Sequence, residues 1–200
     1  MSAPITARLA RELAAVVDRL RRATVQVRTR GAGMGAGVLW RAGDGSRALV
    51  ITNAHVVRGN RTTIELSDGT VASARAVARD PKRDLAALEF AADRDLPYAV
   101  GRESPPLEVG ELVIALGHPG GLVGAATLGI IHAASERDGR TPRWIQADVR
   151  LAPGFSGGPL ADAQGRLIGI NTMVRGGLAL AVPAATIDAW LRGSRALVSS

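Results

Sequence analysis

The sequence has no cysteine among its 200 residues. This absence excludes a disulfide framework, a thiol nucleophile and any zinc or iron–sulfur site that is built on cysteine ligands. It also agrees with a reducing compartment. Aromatic residues are rare, with two Phe, one Tyr and three Trp, so few rings are available to stack on nucleic-acid bases.

Lysine is nearly absent as well, although the net charge of the chain is +7. Lys82 is the only lysine, so the other 24 of the 25 basic residues are arginine. The arginines are scattered singly, apart from one tight run at Arg19, Arg21 and Arg22, and they do not form the basic cluster that nucleic acid would require. We therefore interpret the charge as a solvated, arginine-rich surface and expect no nucleic-acid partner.

Long apolar runs are the third absence. No run approaches the roughly 20 residues that a membrane-spanning helix needs, so we expect no membrane span. Arg8, Arg11 and Glu12 interrupt the first residues, which therefore lack the apolar segment of a secretory signal. The sequence predicts a cytoplasmic protein as it stands, or a periplasmic or secreted one if a leader has been removed.

Residues 5–22 have the apolar periodicity of an amphipathic helix. The apolar positions recur at spacings of three and four, at Ile5, Leu9, Leu13, Val16, Val17 and Leu20. A terminal helix of this kind either packs on its own domain or covers a neighbouring copy in an oligomer, and the pattern does not choose between the two.

From Ala23 onward, short apolar runs alternate with turns such as Asp44-Gly45 and Asp68-Gly69. Many short strands at this spacing predict an all-β fold, either a sandwich or barrels. A segment rich in proline and charge indicates a linker between two similar halves. The predicted parts of this single domain, 1–200, are a helix at 5–22, a first half at 23–96, a linker at 97–110, a second half at 111–183 and a helix at 184–196.

One serine lies in a frame of glycine and proline, Pro153-Gly154-Phe155-Ser156-Gly157-Gly158-Pro159. A serine hydroxyl becomes a nucleophile only beside a base and a group that stabilises the developing charge. Glycine allows the backbone to approach a substrate closely, so the amides of Gly154 and Ser156 are candidates for an oxyanion hole. A plain surface turn has the same composition, and the choice depends on residues upstream.

A base is available among only three histidines. His55 follows the predicted buried strand at 48–52, where the end of a strand would present its side chain into a cleft. We interpret His118 and His132 as ordinary polar surface residues. No His-Glu-x-x-His spacing is present, so we expect neither a catalytic metal nor another cofactor.

Asp84 is the best candidate for the carboxylate that orients such a histidine. It immediately precedes the apolar run at 85–88, and an Asp anchored at a buried strand needs a partner such as an imidazole N–H. Asp80 lies in an Asp-Pro turn, and Asp93 and Asp95 lie in a polar loop where we expect them to be solvated.

The resulting order, His55, Asp84, Ser156, is the chymotrypsin order of the serine protease triad. With these residues, the chain resembles the protease domain of the HtrA (Deg) family of trypsin-like serine proteases, over about residues 16–191. The matching segments are Thr52-Asn53-Ala54-His55-Val56-Val57, Asp80-Pro81-Lys82-Arg83-Asp84-Leu85-Ala86, Val113-Ile114-Ala115-Leu116-Gly117-His118-Pro119, Trp144-Ile145-Gln146-Ala147-Asp148, Pro153 to Leu160, Ile168-Gly169-Ile170-Asn171-Thr172 and Leu180-Ala181-Val182-Pro183.

The resemblance implies a chymotrypsin-like double β-barrel with the triad in the cleft between the barrels. It also implies a serine endopeptidase of protein quality control or regulated proteolysis that acts on unfolded or extended polypeptides, and a homotrimer contacted through the N-terminal segment. The positions matching the specificity pocket are Leu151, Val174 and Leu178, which predict a preference for small aliphatic residues before the scissile bond. No acidic residue is placed to make a pocket for basic side chains.

Four departures from the family pattern qualify this expectation, one of which is the short loop Val174-Arg175-Gly176-Gly177. Phe155 occupies the position where the family usually has Asn, and its ring is bulky enough to perturb the oxyanion hole. Arg150 replaces a small residue, and no PDZ domain follows. The alternative is a non-hydrolytic, chaperone-like or peptide-binding protein on the same fold. An esterase is disfavoured, because the Gly-x-Ser-x-Gly pattern at 154–158 lacks alternating helices and strands around it.

Overall fold

The computed structural model describes residues 5–29, 33–41, 48–92, 95–102, 106–133 and 144–194. The predicted turn at Asp44-Gly45 and the side chain of Asp93 lie outside these ranges. The described elements are two α-helices and twelve strands: α1 Ile5–Arg22, β1 Thr24–Thr29, β2 Gly33–Arg41, β3 Ala48–Thr52, β4 Arg61–Glu65, β5 Val71–Asp80, β6 Leu85–Phe90, β7 Leu112–Gly117, β8 Ala125–Ala133, β9 Ile145–Asp148, β10 Pro159–Asp162, β11 Leu167–Arg175, β12 Leu178–Pro183 and α2 Ala184–Gly193.

Helix α1 has the bounds that the apolar periodicity predicts. Its C-terminal half buries Val16 and Leu20 against a small apolar cluster of the second half of the chain, formed by Ile114, Leu116 and Ala161. Its N-terminal half presents apolar side chains to solvent, with Ile5 86% and Leu9 49% exposed. Part of the helix therefore packs on its own domain, and the other part has an uncovered apolar stripe.

The first six strands form a closed antiparallel barrel in the order β1-β2-β3-β6-β5-β4. Strand β4 follows the alternation expected of a half-buried strand, with Thr62 and Ile64 inside and their neighbours outside. Strand β3 is buried along its whole length because both of its faces are covered. Closure of the sheet leaves no free edge for pairing with another chain.

The last six strands form a second closed barrel in the order β10-β11-β12-β9-β8-β7. The predicted all-β, double-barrel fold is thereby confirmed. Strand β10 is not evident from the sequence, since it has only four residues and begins at Pro159, directly after the serine loop. The second helix, predicted to extend to residue 196, ends at Gly193, because Ser194 has an extended backbone.

The two barrels pack against each other through an apolar cluster that both contribute to. Its fully buried members from the first barrel are Val38, Leu49, Ile51, Leu85 and Ala87, and those from the second half of the chain are Leu167, Ile170, Val182 and Ile187. The connecting segment runs along both barrels. Ala99 donates its N–H to Leu39 of the first barrel, and Arg102 donates its N–H to Leu167 of the second.

Candidate active site

His55 and Asp84 are brought together by the pairing of β3 with β6. Thr52, the last residue of β3, lies opposite Ala86 of β6, so His55, three residues after β3, is near Asp84, which directly precedes β6. The His55 backbone N–H donates to Asp84 Oδ1 at 3.0 Å, and His55 Nδ1 lies 2.8 Å from Asp84 Oδ2. Two contacts to one carboxylate fix the orientation of the imidazole and direct its Nε2 edge away from Asp84.

Asp84 has an unusual backbone that places its carboxylate in this position. Its φ of 56° is the only positive φ of a non-glycine residue in the part of the chain that the structure describes. Such a conformation is costly for most residues and less so for Asp, and it persists where the surroundings hold it. The Asn53 side-chain amide, fully buried, donates to the Asp84 carbonyl at 3.0 Å and holds this turn.

The carboxylate of Asp84 is kept ionised by its hydrogen bonds. Burial alone would raise the pKa of Asp84, but donors from the His55 ring, the Thr172 hydroxyl and the His55 amide outweigh burial and lower that pKa below its usual value. Thr172 lies in β11 of the second barrel and donates to Oδ2. It is a site residue that the sequence analysis missed, because a single threonine at a strand carries no pattern that indicates this role.

Ser156 lies in the loop between β9 and β10 and is tied to both barrels. Its carbonyl accepts the N–H of Ala36 in β2 at 2.8 Å. Its hydroxyl Oγ donates to the carbonyl of Thr172 at 3.2 Å, and within the described residues no hydrogen bond joins it to His55. Thr172 therefore contacts Asp84 through its side chain and Ser156 through its backbone, which brings the three predicted residues to one place between the barrels.

The amides of Gly154 and Ser156 are the predicted oxyanion-hole donors. Gly154 has a φ of 107°, a conformation that favours glycine. The neighbouring amides are occupied: Phe155 donates to Ala152, and Gly157 donates to Asn171. Neither Gly154 nor Ser156 donates a backbone hydrogen bond to another described residue, so both N–H groups are available to an external acceptor.

The Phe155 side chain is directed into the second barrel. It is 5% exposed and belongs to the apolar core that includes Val149, Leu160 and Ile168. The ring packs so tightly there that a Cβ on Gly117 would lie 2.8 Å from its Cγ. The position before the serine is therefore a core position in this chain, and its burial anchors the loop that carries Gly154 and Ser156.

The three residues predicted for the specificity pocket differ in their surroundings. Val174 is 51% exposed, and it is paired with Ala179 close to the turn between β11 and β12. Leu178 begins β12 and is partly buried, and Leu151 is partly buried against the core of the second barrel. Arg150 is exposed. No described contact joins the three aliphatic residues, so the pocket remains a prediction.

The other candidate residues have structural surroundings of their own. His118 is 3% exposed, so its interpretation as a surface residue is wrong: packing of β1 and α1 around the turn after β7 buries it. His132 is exposed on β8 and Asp95 is exposed as predicted. Asp80 accepts the N–H groups of Lys82 and Arg83 and holds the predicted turn before Asp84.

Within the described ranges, no three acidic or histidine side chains are arranged as possible ligands of a metal ion. No helix in those ranges is long and apolar enough to span a membrane.

Two β-barrels with a histidine, an aspartate and a serine between them define a class of protein, the serine hydrolases of double-barrel fold. The family model of the trypsin-like peptidase domain matches residues 35–170, and the chain belongs to this family. This match confirms the predicted trypsin-like family.

Three curated relatives are 37–43% identical in sequence to the parts of this chain that they match. A protein named as a serine protease, HhoB, of Synechocystis sp. is 39% identical over 147 residues, which are 68% of this chain and 35% of that protein. A protein of Bartonella henselae named "Probable periplasmic serine endoprotease DegP-like" is 37% identical over 151 residues, 70% of this chain and 30% of that protein. A protein of Halomonas elongata with the same name is 43% identical over 129 residues, 62% of this chain and 27% of that protein.

These similarities confirm the expected resemblance to HtrA (Deg) serine proteases. The chain spans about a third of the length of the curated relatives, so they inform the barrel pair and not the rest of those proteins.

Proposed function

We propose that this chain is a serine endopeptidase in which His55, Asp84 and Ser156 form the catalytic triad. The observation that carries the proposal is the double contact between His55 and the Asp84 carboxylate, at 3.0 Å and 2.8 Å. A carboxylate that accepts from Nδ1 fixes the tautomer in which Nε2 has a free lone pair, and that atom is the base a serine nucleophile needs.

The mechanism follows from this arrangement. Ser156 Oγ attacks the scissile carbonyl while His55 Nε2 takes the hydroxyl proton, and the imidazolium that forms is stabilised by ionised Asp84. His55 then gives the proton to the leaving amine, and an acyl-enzyme remains on Ser156. The Gly154 and Ser156 amides donate to the oxyanion. Water, activated by His55, releases the acyl group in the second half of the reaction.

One movement is needed before the first step. The Ser156 hydroxyl must leave the Thr172 carbonyl, at 3.2 Å, and rotate about χ1 towards His55. Hydrogen bonds between catalytic groups are often long or misaligned before substrate binds and tighten in the complex, so such a resting position is compatible with catalysis. The hydrogen bond given up is a single neutral one, with a net value of roughly 1 kcal/mol.

The proposed substrates are extended or unfolded polypeptides. Leu151, Val174 and Leu178 provide apolar surface near the serine loop and around the turn that follows β11, which favours small aliphatic residues before the scissile bond. Several relatives are named as periplasmic proteases, and from them we propose quality control or regulated proteolysis as the role. The cytoplasmic location that the sequence suggests stays a prediction.

Self-association is a further part of the proposal. The exposed apolar side chains of Ile5 and Leu9 form a stripe on α1 that a second copy would cover, and the family resemblance favours a trimer. Sedimentation of the wild-type chain and of an Ile5→Glu, Leu9→Glu variant tests it. The wild-type chain should sediment as a trimer and the variant as a monomer, whereas a monomeric wild-type chain would contradict the trimer.

A second candidate function is peptide binding without hydrolysis. The observation that favours it is the Ser156 hydroxyl, which is hydrogen-bonded to Thr172 and not to the base. In that case the cleft would hold an extended peptide and the serine would stay unreactive.

Labelling with a fluorophosphonate separates the two functions. The purified chain is treated with the probe, and the adduct is located by intact mass and peptide mapping, with Ser156→Ala as the matched control. A single adduct at Ser156 that the control lacks supports the peptidase. No adduct at any pH from about 6 to 9 would contradict a resting active enzyme and favour the binding protein.

A further inference from the structure

His118 begins the turn after β7, and its imidazole lies at a junction of both barrels and α1. The ring lines a cavity of about 160 Å³. The other residues around this cavity come from α1, β1, the end of β4 with the segment after it, and the turn itself; they include Arg21, Thr24, Gln26, Glu65 and Ser67. A histidine at 3% exposure in such a place is part of the molecule's internal hydrogen bonding and not of its surface.

The hydrogen bonds of His118 define its tautomer. The Gly124 N–H donates to His118 Nδ1 at 3.2 Å, so Nδ1 presents a lone pair and the ring hydrogen is on Nε2. Nε2 is buried and has no hydrogen-bond partner among the described atoms. The neutral ring therefore closes the turn from 118 to 124. The Arg21 side chain holds the other end of this turn by donating to the Gly124 carbonyl at 2.7 Å.

The backbone of His118 is in direct contact with the predicted oxyanion hole. Its N–H donates to the Gly154 carbonyl at 2.9 Å. A Cβ placed on Gly154 would lie 2.6 Å from the His118 carbonyl oxygen and 2.8 Å from Pro119 Cα, so the two backbones pack without any intervening space. The turn at His118 therefore holds Gly154 at its carbonyl and at its Cα, and a shift of the turn would be passed through that Cα to the preceding peptide, whose N–H is one of the two donors.

Protonation of the ring would break this arrangement. An imidazolium has hydrogens on both nitrogens, so Nδ1 would point a donor at the Gly124 N–H, and the bond that closes the turn would be lost. Burial lowers the pKa of His118. A weak interaction of the ring with the Val25 carbonyl in β1, too poorly aligned to count as a hydrogen bond, and the Glu65 carboxylate at the end of β4 oppose this shift, whereas Arg28 in β1 adds to it. Arg21 adds a second cation on the α1 side of the cavity.

We propose that His118 is a positioning residue of the oxyanion hole: its neutral ring holds Gly154 in the donating orientation, and its protonation releases Gly154. The inference rests on the proposed function, because a donating orientation matters only if Ser156 acylates. The inference predicts that activity in acid is lost by protonation of His118 as well as by protonation of the catalytic base, His55.

The coupling can be measured without activity. In the ¹⁵N-labelled wild-type chain, long-range ¹H–¹⁵N spectra report the tautomer of each histidine, and amide spectra report Gly124 and Gly154. Between about pH 4 and 8, the Gly124 and Gly154 amide signals should shift together with the His118 ring, with a midpoint below the ordinary histidine value of about 6.5. A Gly154 amide that does not follow the His118 ring would overturn the inference.

The kinetic test uses the rate of fluorophosphonate inactivation as a function of pH. His118→Gln provides a neutral acceptor and donor of similar reach, so its rate at pH 7 should stay within about tenfold of wild type. In acid, the logarithm of the wild-type inactivation rate should fall with pH more steeply than protonation of a single group allows, since both His55 and His118 must be neutral for the reaction. The Gln variant should fall with the slope of a single proton, and a slope equal to that of wild type would overturn the inference.

The matched control is His132→Gln, which removes an exposed histidine from β8 and should keep the steep acid limb of wild type. If no pH gives an adduct at Ser156, the proposed function fails, and the amide titration still decides whether His118 controls Gly154. The same spectra establish whether the Gln variant is folded.

Discussion

Thr172 donates its hydroxyl hydrogen to the same oxygen of Asp84, Oδ2, that lies 2.8 Å from His55 Nδ1. Thr172 belongs to the second barrel, whereas Asp84 and His55 belong to the first. The Asp84 carboxylate, which orients His55, is therefore itself held from the opposite side of the cleft. Docking of one barrel against the other therefore adds to the lowering of the Asp84 pKa that His55 provides within the first barrel.

Asp84→Asn should lower kcat about 10⁴-fold, because an amide at this position supports the wrong tautomer of His55. Hydrolysis of a peptide substrate measures the effect. Asp80→Asn is the matched control, since it changes an aspartate of the same turn that contacts backbone amides and not His55, and activity should stay within about tenfold. A loss smaller than tenfold in Asp84→Asn would contradict the assignment of Asp84.

Thr172→Val should lower kcat/KM roughly tenfold or more, because a hydrogen bond to a charged group contributes about 1.5–3 kcal/mol. The pKa of Asp84 should rise towards its usual value, because one of the donors that lower it is gone. Thr172→Ser retains the hydroxyl and should retain most of the activity. Equal losses in the Val and Ser variants would show that the methyl group, and not the hydroxyl, is what matters.

Gly154→Ala should abolish most activity, by roughly 10²–10³-fold, the value of one oxyanion-hole donor. The added Cβ would meet the His118 carbonyl at 2.6 Å, and the φ of 107° is unfavourable for alanine. Gly59→Ala is the matched control: Gly59 also has a positive φ, of 75°, but nothing lies within 4 Å of its Cβ position. Similar activity losses in both variants would contradict a specific role for Gly154.

Phe155→Ala should destabilise the chain by about 3–5 kcal/mol, the usual cost of truncating a buried aromatic residue to alanine. The side chain is 5% exposed in the core of the second barrel. Denaturant unfolding measures the loss, and a change below about 1 kcal/mol would contradict the burial. Phe155→Leu retains most of the apolar volume and should lose less stability.

Acid should reduce the stability of the wild-type chain partly through His118. The folded-state pKa of His118 is lowered, so between that value and the unfolded value of about 6.5 the unfolded chain binds more protons than the folded one. Stability then falls with decreasing pH below about 6.5, by at most about 1.4 kcal/mol per pH unit from this one group. Comparison of denaturant midpoints at pH 7 and 5 should show a smaller decrease for His118→Gln than for wild type, and equal decreases would contradict the prediction.

The sequence predicts those parts of the fold that have a local periodicity or a local motif. Helix α1 has its predicted bounds because its apolar spacing matches 3.6 residues per turn over five turns. Asp84 could be selected because it directly precedes an apolar strand, β6, whose first four residues are buried. Strand β10 could not, because four residues after a glycine-rich loop are too few to establish a period.

The features that the sequence could not provide depend on contacts between distant segments. His118 has a polar side chain in a Gly-His-Pro-Gly-Gly turn, and it is buried only because β1 and α1, some 90 residues earlier in the chain, pack over it. The role of Thr172 likewise depends on a contact with Asp84, 88 residues away. The bulk of the Phe155 ring predicts a disturbed oxyanion hole, whereas the ring lies in the apolar core of the second barrel.

The apolar cluster shared by the two barrels has a consequence for biosynthesis. Once residues up to about 96 have emerged from the ribosome, all six strands of the first barrel are present together with His55 and Asp84, and such N-terminal parts generally fold first. Ser156 and Thr172 follow later, and they reach His55 only when Leu167 and Ile170 insert beside Leu49 and Ile51. If the proposed triad is correct, we therefore expect the nascent chain to lack an assembled nucleophile while its own unfolded segments are nearby, which would protect it from self-cleavage until the barrels have docked.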